Sequence, residues 1–196
     1  DFEAGRYSGR ATPATPVALE LDGLEAPGVH PSAVAAALTV LRALGVEPDA
    51  RRSRDVLAEL VVPGRLQQLE VEGGRVLLDV AHNPHAARTL AARLPGAAPY
   101  ELVFGAFADK DVEGILAALA PRLSGVTLVA TPGARGASAE VLERRLSSCE
   151  LPGLATAASL DEALARALRR AGTAPVLVCG SFTVVGAALE LLGGTA

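Results

Sequence analysis

One short run holds the residues best placed to do chemistry: Arg75-Val-Leu-Leu-Asp79-Val-Ala-His82-Asn83-Pro84. An apolar strand delivers a carboxylate, Asp79, and an imidazole, His82, to its end, and a helix then starts at Asn83-Pro84. In an α/β protein the carboxyl end of a strand, beside a helix N-terminus, is where nucleotides and anionic intermediates are held. A carboxylate there can accept both hydroxyls of a ribose. An imidazole one turn further on can face phosphates or an acyl-phosphate. The plainer reading makes Asp79 a cap for the next helix and His82 a residue of a surface loop. Asn83-Pro84 is mostly structural, since Asn is a favoured helix cap and Pro a favoured first helical residue. His82 and His85 have His-x-x-His spacing, but no third ligand is placed near them, so no metal site is expected.

Other candidates lie outside this run. Arg65, in the turn Pro63-Gly64-Arg65, has a planar guanidinium suited to bidentate phosphate recognition, or it is simply solvated in an Arg-rich chain. Lys110, in Asp109-Lys110-Asp111, is the only lysine among 18 basic residues. A compact ammonium there suits a substrate carboxylate; alternatively Asp109 or Asp111 caps a helix and Lys110 offsets their charge. Gly180-Ser181-Phe182-Thr183 offers backbone amides and hydroxyls that could hold a carboxylate, or serves only as a helix cap. It does not match the Gly-x-Ser-x-Gly nucleophile elbow, which argues against serine hydrolase chemistry. Gly133-Ala-Arg-Gly-Ala-Ser138 is a glycine-bearing loop before a helix, a weak candidate for a phosphate cradle.

These residues need a scaffold, and the hydrophobic pattern supplies one. Leu66–Val71, a Glu72-Gly73-Gly74 turn and Val76–Val80 read as a β-hairpin. Strands and helices then alternate. Helices are expected over Pro84–Leu94, Asp111–Leu123, Ser138–Leu146, Leu160–Ala171 and Thr183–Leu192. Strands are expected over Glu101–Phe104, Val126–Ala130, Leu154–Ala157 and Val176–Cys179. The fold class is α/β: a mostly parallel, doubly wound, Rossmann-like sheet with an antiparallel edge hairpin. Near-continuous apolar strands fit a sheet buried on both faces. Before Pro63 the pattern differs, with a strand-like run at Pro16–Leu21, a helix from Ser32, capped by Ser32 and ended by Gly45, and a short helix from Ser53 or Arg54 to Leu60. This stretch reads as the tail of a domain whose body lies upstream.

Composition narrows the classes. The chain has 196 residues, 22 acidic against 18 basic, and 50% hydrophobic residues of which few are aromatic. No basic run interleaves with aromatics, so nucleic acid is not an expected partner. Cys149 and Cys179 are too isolated for a disulfide framework or a structural zinc site. No apolar run reaches the roughly 20 residues of a membrane span, and a cytoplasmic location is expected.

Taken in order, Pro63–Arg65, Leu78–Pro84, Asp109–Asp111 and Cys179–Ser181 resemble the Pro-Gly-Arg turn, Leu-Asp-x-Ala-His-Asn-Pro strand end, Asp-Lys-Asp loop and Cys-Gly-Ser turn of one family. That family is the folylpolyglutamate synthase/dihydrofolate synthase group of Mur-ligase-like ATP-dependent amide ligases, and the similarity covers its later part. The resemblance implies that residues 1–62 are the tail of the central ATP-binding domain and residues 63–196 the C-terminal Rossmann-like ligase domain. It implies that Arg65 and Asp79 contact ATP, with His82 close to the phosphates and a candidate catalytic residue. Lys110 and Ser181 become candidates for the incoming L-glutamate. The activity implied is ligation of L-glutamate to dihydropteroate or folate through an acyl-phosphate, with ATP and Mg²⁺. The family's P-loop, metal ligands and modified lysine lie upstream. No Gly-x-x-x-x-Gly-Lys-Ser/Thr occurs here, so an isolated segment is expected to be inactive and to need the N-terminal P-loop domain of its own polypeptide as partner. Pro31 and Val34 stand where the family often has Gln and Asn, and Val80 where Gly is usual. Competing readings are a muramyl-peptide ligase of the same superfamily and a non-catalytic α/β binding module.

Overall fold

A computed structural model describes residues 2–3, 6–7, 28–29 and 31–193. The chain divides into two compact units, Asp1–Arg65 and Leu66–Ala196. In the first, β1 (Phe2–Glu3) and β2 (Arg6–Tyr7) pair antiparallel. The strand expected over Pro16–Leu21 lies outside the described residues. Helix α1 spans Pro31–Ala43, so Ser32 sits inside its first turn rather than capping it. Pro31 explains the earlier start, because a proline's fixed φ suits the first helical position. Gly45 ends the helix as expected: at φ 78° it lets Val46 N–H reach back to Leu41 O at 2.9 Å. Helix α2 spans Ala50–Glu59, starting earlier than Ser53. Asp49 is the reason, since its carboxylate accepts from the Arg52 N–H at 2.7 Å. Val34 and Leu38 form the small core of this unit, with Val29, Ala50 and Leu57 against them.

The second unit is a six-stranded sheet in the order β3-β4-β8-β5-β6-β7. Strands β3 (Gln67–Val71) and β4 (Gly74–Leu78) form the edge hairpin, antiparallel, with Val71 opposite Gly74. The others run parallel: β5 (Tyr100–Phe104), β6 (Leu123–Leu128), β7 (Ala155–Thr156) and β8 (Val176–Cys179). Their connecting helices are α3 (Pro84–Arg93), α4 (Val112–Leu119), α5 (Ala139–Leu146), α6 (Leu160–Ala171) and α7 (Phe182–Leu191).

Period-two alternation divides the strand side chains between two cores. Leu77, Leu102, Phe104, Leu177 and Cys179 pack with α3, α4 and α5. Val76, Leu78, Val103, Val176 and Val178 pack with α6 and α7 on the other face. Both faces are covered, which is why these strands read as unbroken apolar runs. One expectation fails at α4, which stops at Leu119 and passes through a 3₁₀ turn, Ala120–Arg122, so that β6 begins at Leu123. Pro121 is the cause: inside an α-helix it would lack the N–H and clash with the preceding turn. Strand β7 is also shorter than the expected Leu154–Ala157.

Candidate functional site

Chemistry gathers at the carboxyl ends of β4, β8 and β5. Parallel pairing continues past β4, where Asp79 N–H donates to Val178 O at 3.0 Å. The Asp79 side chain then turns inward, with the residue 8% exposed. Its Oδ1 accepts from Ala81 N–H at 2.9 Å and its Oδ2 from Leu66 N–H at 3.0 Å. Leu66 has φ 46°, a left-handed conformation uncommon for a leucine. Asp79 therefore does not cap the next helix. That cap is Asn83, whose Oδ1 accepts from Ala86 N–H at 2.9 Å with Pro84 in the first turn.

His82 is half-buried, and its Nδ1 lies 2.8 Å from Val80 O. A carbonyl only accepts, so Nδ1 carries the proton and Nε2 is the working edge of the ring, an acceptor when neutral and a donor when charged. The Phe182 ring sits 5.5 Å from the imidazole at 46°. Phe182 is 59% exposed, a large apolar side chain left at the surface on the first residue of α7.

Strand β8 closes against both neighbours through glycine. Gly180 N–H donates to Ala81 O at 3.0 Å. At φ 112°, a Cβ on Gly180 would lie 2.6 Å from Gly105 O and from the Phe104 ring. Ser181, 2% exposed, caps α7: its Oγ accepts from Val184 N–H at 3.1 Å. Its hydroxyl proton remains to donate elsewhere. Burial first, and then the Asp79 carboxylate, push the Cys179 thiol up, out of the range in which it ionises. Cys179 is thus a packing residue and no nucleophile.

Lys110 lies in the loop after β5. Its Nζ is 3.8 Å from Asp109 Oδ2, and Asp109 also accepts from Arg135 at 2.8 Å. That guanidinium holds the Asp109 carboxyl below its ordinary value. Asp111 caps α4, accepting from Gly114 N–H at 2.9 Å. A Cβ on Gly114 would lie 2.9 Å from the Pro84 ring, so the starts of α3 and α4 adjoin. The His82–Phe182 contact likewise joins the starts of α3 and α7. Three helix N-termini thus open on one edge of the sheet, a setting that favours negative charge.

Asp79, His82 and Ser181 are brought together on adjacent strand ends, with Lys110 on the loop of the next strand. Arg65 belongs to the first unit, exposed, in a turn where its N–H donates to Val62 O at 3.0 Å. In the Gly133–Ser138 loop the Gly136 and Ala137 N–H groups donate to Gly133 O and Ala106 O, so these two amides are already committed. Sequence reading missed Phe182 as a partner of His82 and missed the arginines that brace the Lys110 loop. Nothing in the spacing of those residues announces a contact. Among the described residues no three His, Cys, Asp or Glu side chains cluster to hold a metal. A cavity of about 160 Å³ sits at the opposite end, lined by Gln68, Arg75, Tyr100 and Pro175 among others, and contains none of the residues above.

An open, mostly parallel sheet covered by helices on both faces is a doubly wound α/β domain, a class whose ligands lie beyond the carboxyl ends of the strands. The chain belongs to the Mur ligase family, with residues 64–182 matching its glutamate ligase domain. It is 38% identical over 175 residues to the dihydrofolate synthase/folylpolyglutamate synthase of Escherichia coli (strain K12), covering 88% of this chain and 40% of that protein. Among solved structures it is similar to E. coli FolC in complex with DHPP and ADP, with TM-score 0.76 and 36% identity over 90% of this chain and 42% of that one. It is also similar to a bifunctional folylpolyglutamate synthase/dihydrofolate synthase solved with Mn, AMPPNP and L-glutamate bound, with TM-score 0.73 and 35% identity over 88% of this chain and 42% of that one. The chain therefore spans about two fifths of the length of these relatives.

Proposed function

We propose that this chain is the C-terminal part of an ATP-dependent ligase that adds L-glutamate to dihydropteroate or folate. The observation that carries the reading is the strand-end edge, where Asp79, His82 and three helix N-termini meet, in a chain whose relatives have been solved with ADP, DHPP and L-glutamate. In the proposed reaction ATP phosphorylates the pteroate or folate carboxylate, and the glutamate amine displaces phosphate from the acyl-phosphate.

The residues present fit those substrates. Asp79, a carboxylate oriented at its strand end by the Ala81 and Leu66 N–H groups, is the acceptor for the ribose hydroxyls of ATP. Arg65 is the second nucleotide contact, its planar fork matching phosphate oxygens. His82 presents Nε2 toward the phosphates because Nδ1 is committed to Val80 O. Lys110 and Ser181 take the glutamate, one through its ammonium and the other through its hydroxyl proton and the first amides of α7. Catalysis then rests on positioning and on stabilising charge at the phosphoryl oxygens. Mg²⁺ is assigned to residues outside this chain. The N-terminal P-loop domain of the same polypeptide is the required partner. The isolated segment is inactive in this account, and its place is the cytoplasm; no helix among the described residues is long and apolar enough to cross a membrane.

Calorimetric titration of ATP into the full-length enzyme tests the nucleotide roles. Asp79→Asn should weaken binding by about 1.5–3 kcal/mol, the worth of hydrogen bonds to a charged group. That is roughly a tenfold to 150-fold loss. An unchanged affinity in the folded variant contradicts the assignment.

A further inference from the structure

We infer that Arg145, on α5, is a positioning residue that holds the Lys110 loop in the geometry needed to receive the carboxylate of the incoming glutamate. This rests on the proposed role of Lys110 and goes beyond it, because Arg145 lies on a different helix and touches the loop only through its backbone.

The geometry is a four-point clamp from one guanidinium. Arg145 Nε donates to Glu113 Oε1 at 2.9 Å and Nη2 to Glu113 Oε2 at 2.7 Å, a bidentate pair. Nη1 donates to Ala108 O at 3.0 Å, and Nη2 also donates to Lys110 O at 2.9 Å. Two of the acceptors are carbonyls of the loop itself, and the third group, Glu113, stands in the first turn of α4 directly after it. One planar fork therefore fixes the loop backbone against the helix that follows.

The loop's other backbone bonds are the turn bonds of Lys110 N–H to Phe107 O at 3.1 Å and Val112 N–H to Lys110 O at 3.0 Å, and a tie at its start, where Phe107 bridges to Gly136 and Ala108 N–H donates to Arg135 O at 2.9 Å. On the other flank Arg135 lies 5.1 Å over the Phe107 ring and pairs with Asp109. Arg135 thus braces the start of the loop, and Arg145 its end. Among the described residues the Lys110 ammonium makes only a long ion pair, 3.8 Å from Asp109, so its direction follows from where the backbone is held. A lysine at 145 carries charge but lacks the planar fork, so it cannot serve both carboxylate oxygens and both carbonyls at once.

Steady-state kinetics of the full-length enzyme separate this role from a structural one. Arg145→Lys should raise KM for L-glutamate about tenfold while leaving KM for ATP nearly unchanged. Glu113→Gln, which breaks the bidentate pair but spares both carbonyl bonds, should raise the same KM severalfold. Lys110→Ala should raise it more, and adding Arg145→Lys to Lys110→Ala should change it little further, since the clamp then has nothing left to aim. If Lys110→Ala leaves KM for glutamate unchanged, the carboxylate role of Lys110 is wrong and the inference goes with it. If Lys110→Ala raises KM but Arg145→Lys and Glu113→Gln do not, or their effects multiply with it, the positioning role is overturned while the role of Lys110 stands.

Discussion

Asp79 is the residue whose loss should be felt twice, once in folding and once in binding. Its carboxylate accepts from the N–H groups of Ala81 and Leu66, and it is 8% exposed. Replacement by Ala leaves both donors without that partner. Each buried group so orphaned costs about 1–3 kcal/mol, so about 2–6 kcal/mol in all. Typical domain stabilities are about 5–15 kcal/mol, so Asp79→Ala spends a large share of the margin. Asn keeps one oxygen as an acceptor but turns the other into a donor, so one bond survives and the cost falls to about 1–3 kcal/mol. With a urea slope of about 2 kcal/mol per molar, midpoints should fall by about 1–3 M for Ala and 0.5–1.5 M for Asn. Urea unfolding followed by circular dichroism on the 196-residue chain reads both. Equal midpoints for the native chain and Asp79→Ala would refute the reasoning, as would an Asn variant no more stable than Ala. The graded pair also shows why Asp79→Asn, and not Ala, belongs in the nucleotide titration.

Other consequences are as direct. Gly180→Ala forces a side chain into φ 112° and against Gly105 O, so it should cost about 2 kcal/mol or more, measured by urea unfolding; a neutral effect contradicts the tight closure of β8 on β5. The Arg145 side chain hydrogen-bonds Glu113 and holds its carboxyl below the ordinary 4.5. A depressed carboxylate contributes stability that is present above the unfolded value and lost as pH falls through the folded one. The stability difference between the native chain and Arg145→Gln should therefore be largest above pH 4.5 and shrink below it, and a gap that stays constant into acid contradicts the pairing. Phe182→Ala should leave the melting temperature nearly unchanged, since the ring is exposed. It should lower kcat of the full-length enzyme by roughly twofold to tenfold, the worth of an aromatic contact of about 0.5–1.5 kcal/mol on His82. An unchanged kcat removes Phe182 from the account.

Much of the fold can be read in the residues because its rules are local. Val-Leu-Leu and Val-Leu-Val-Cys show strands buried on both faces, and Asn83-Pro84 shows where a helix begins. Where the reading slipped, a local signal was outweighed. Arg51 and Arg52 disguised a helix start that Asp49 had already capped. Pro121 marked the end of α4 inside what looked like one apolar helix. The site was legible as residue types and illegible as partnerships. Asp79 stands out at its strand end, but its bond from Leu66 N–H joins main chain 13 residues away, and main-chain partners have no side-chain signature. The same holds for Arg145, whose carbonyl partners lie 37 and 35 residues from it in sequence.

The central claim is that this strand-end edge serves glutamate ligation to a pterin-bearing acid. Turnover by the full-length enzyme, supplied with ATP, L-glutamate and either dihydropteroate or a UDP-muramyl substrate, tests it most directly. The account predicts ADP, phosphate and a glutamylated pteroate or folate, in equal amounts, and no product from the muramyl nucleotide. Amide formation on the muramyl substrate, with dihydropteroate and folate untouched, would contradict it.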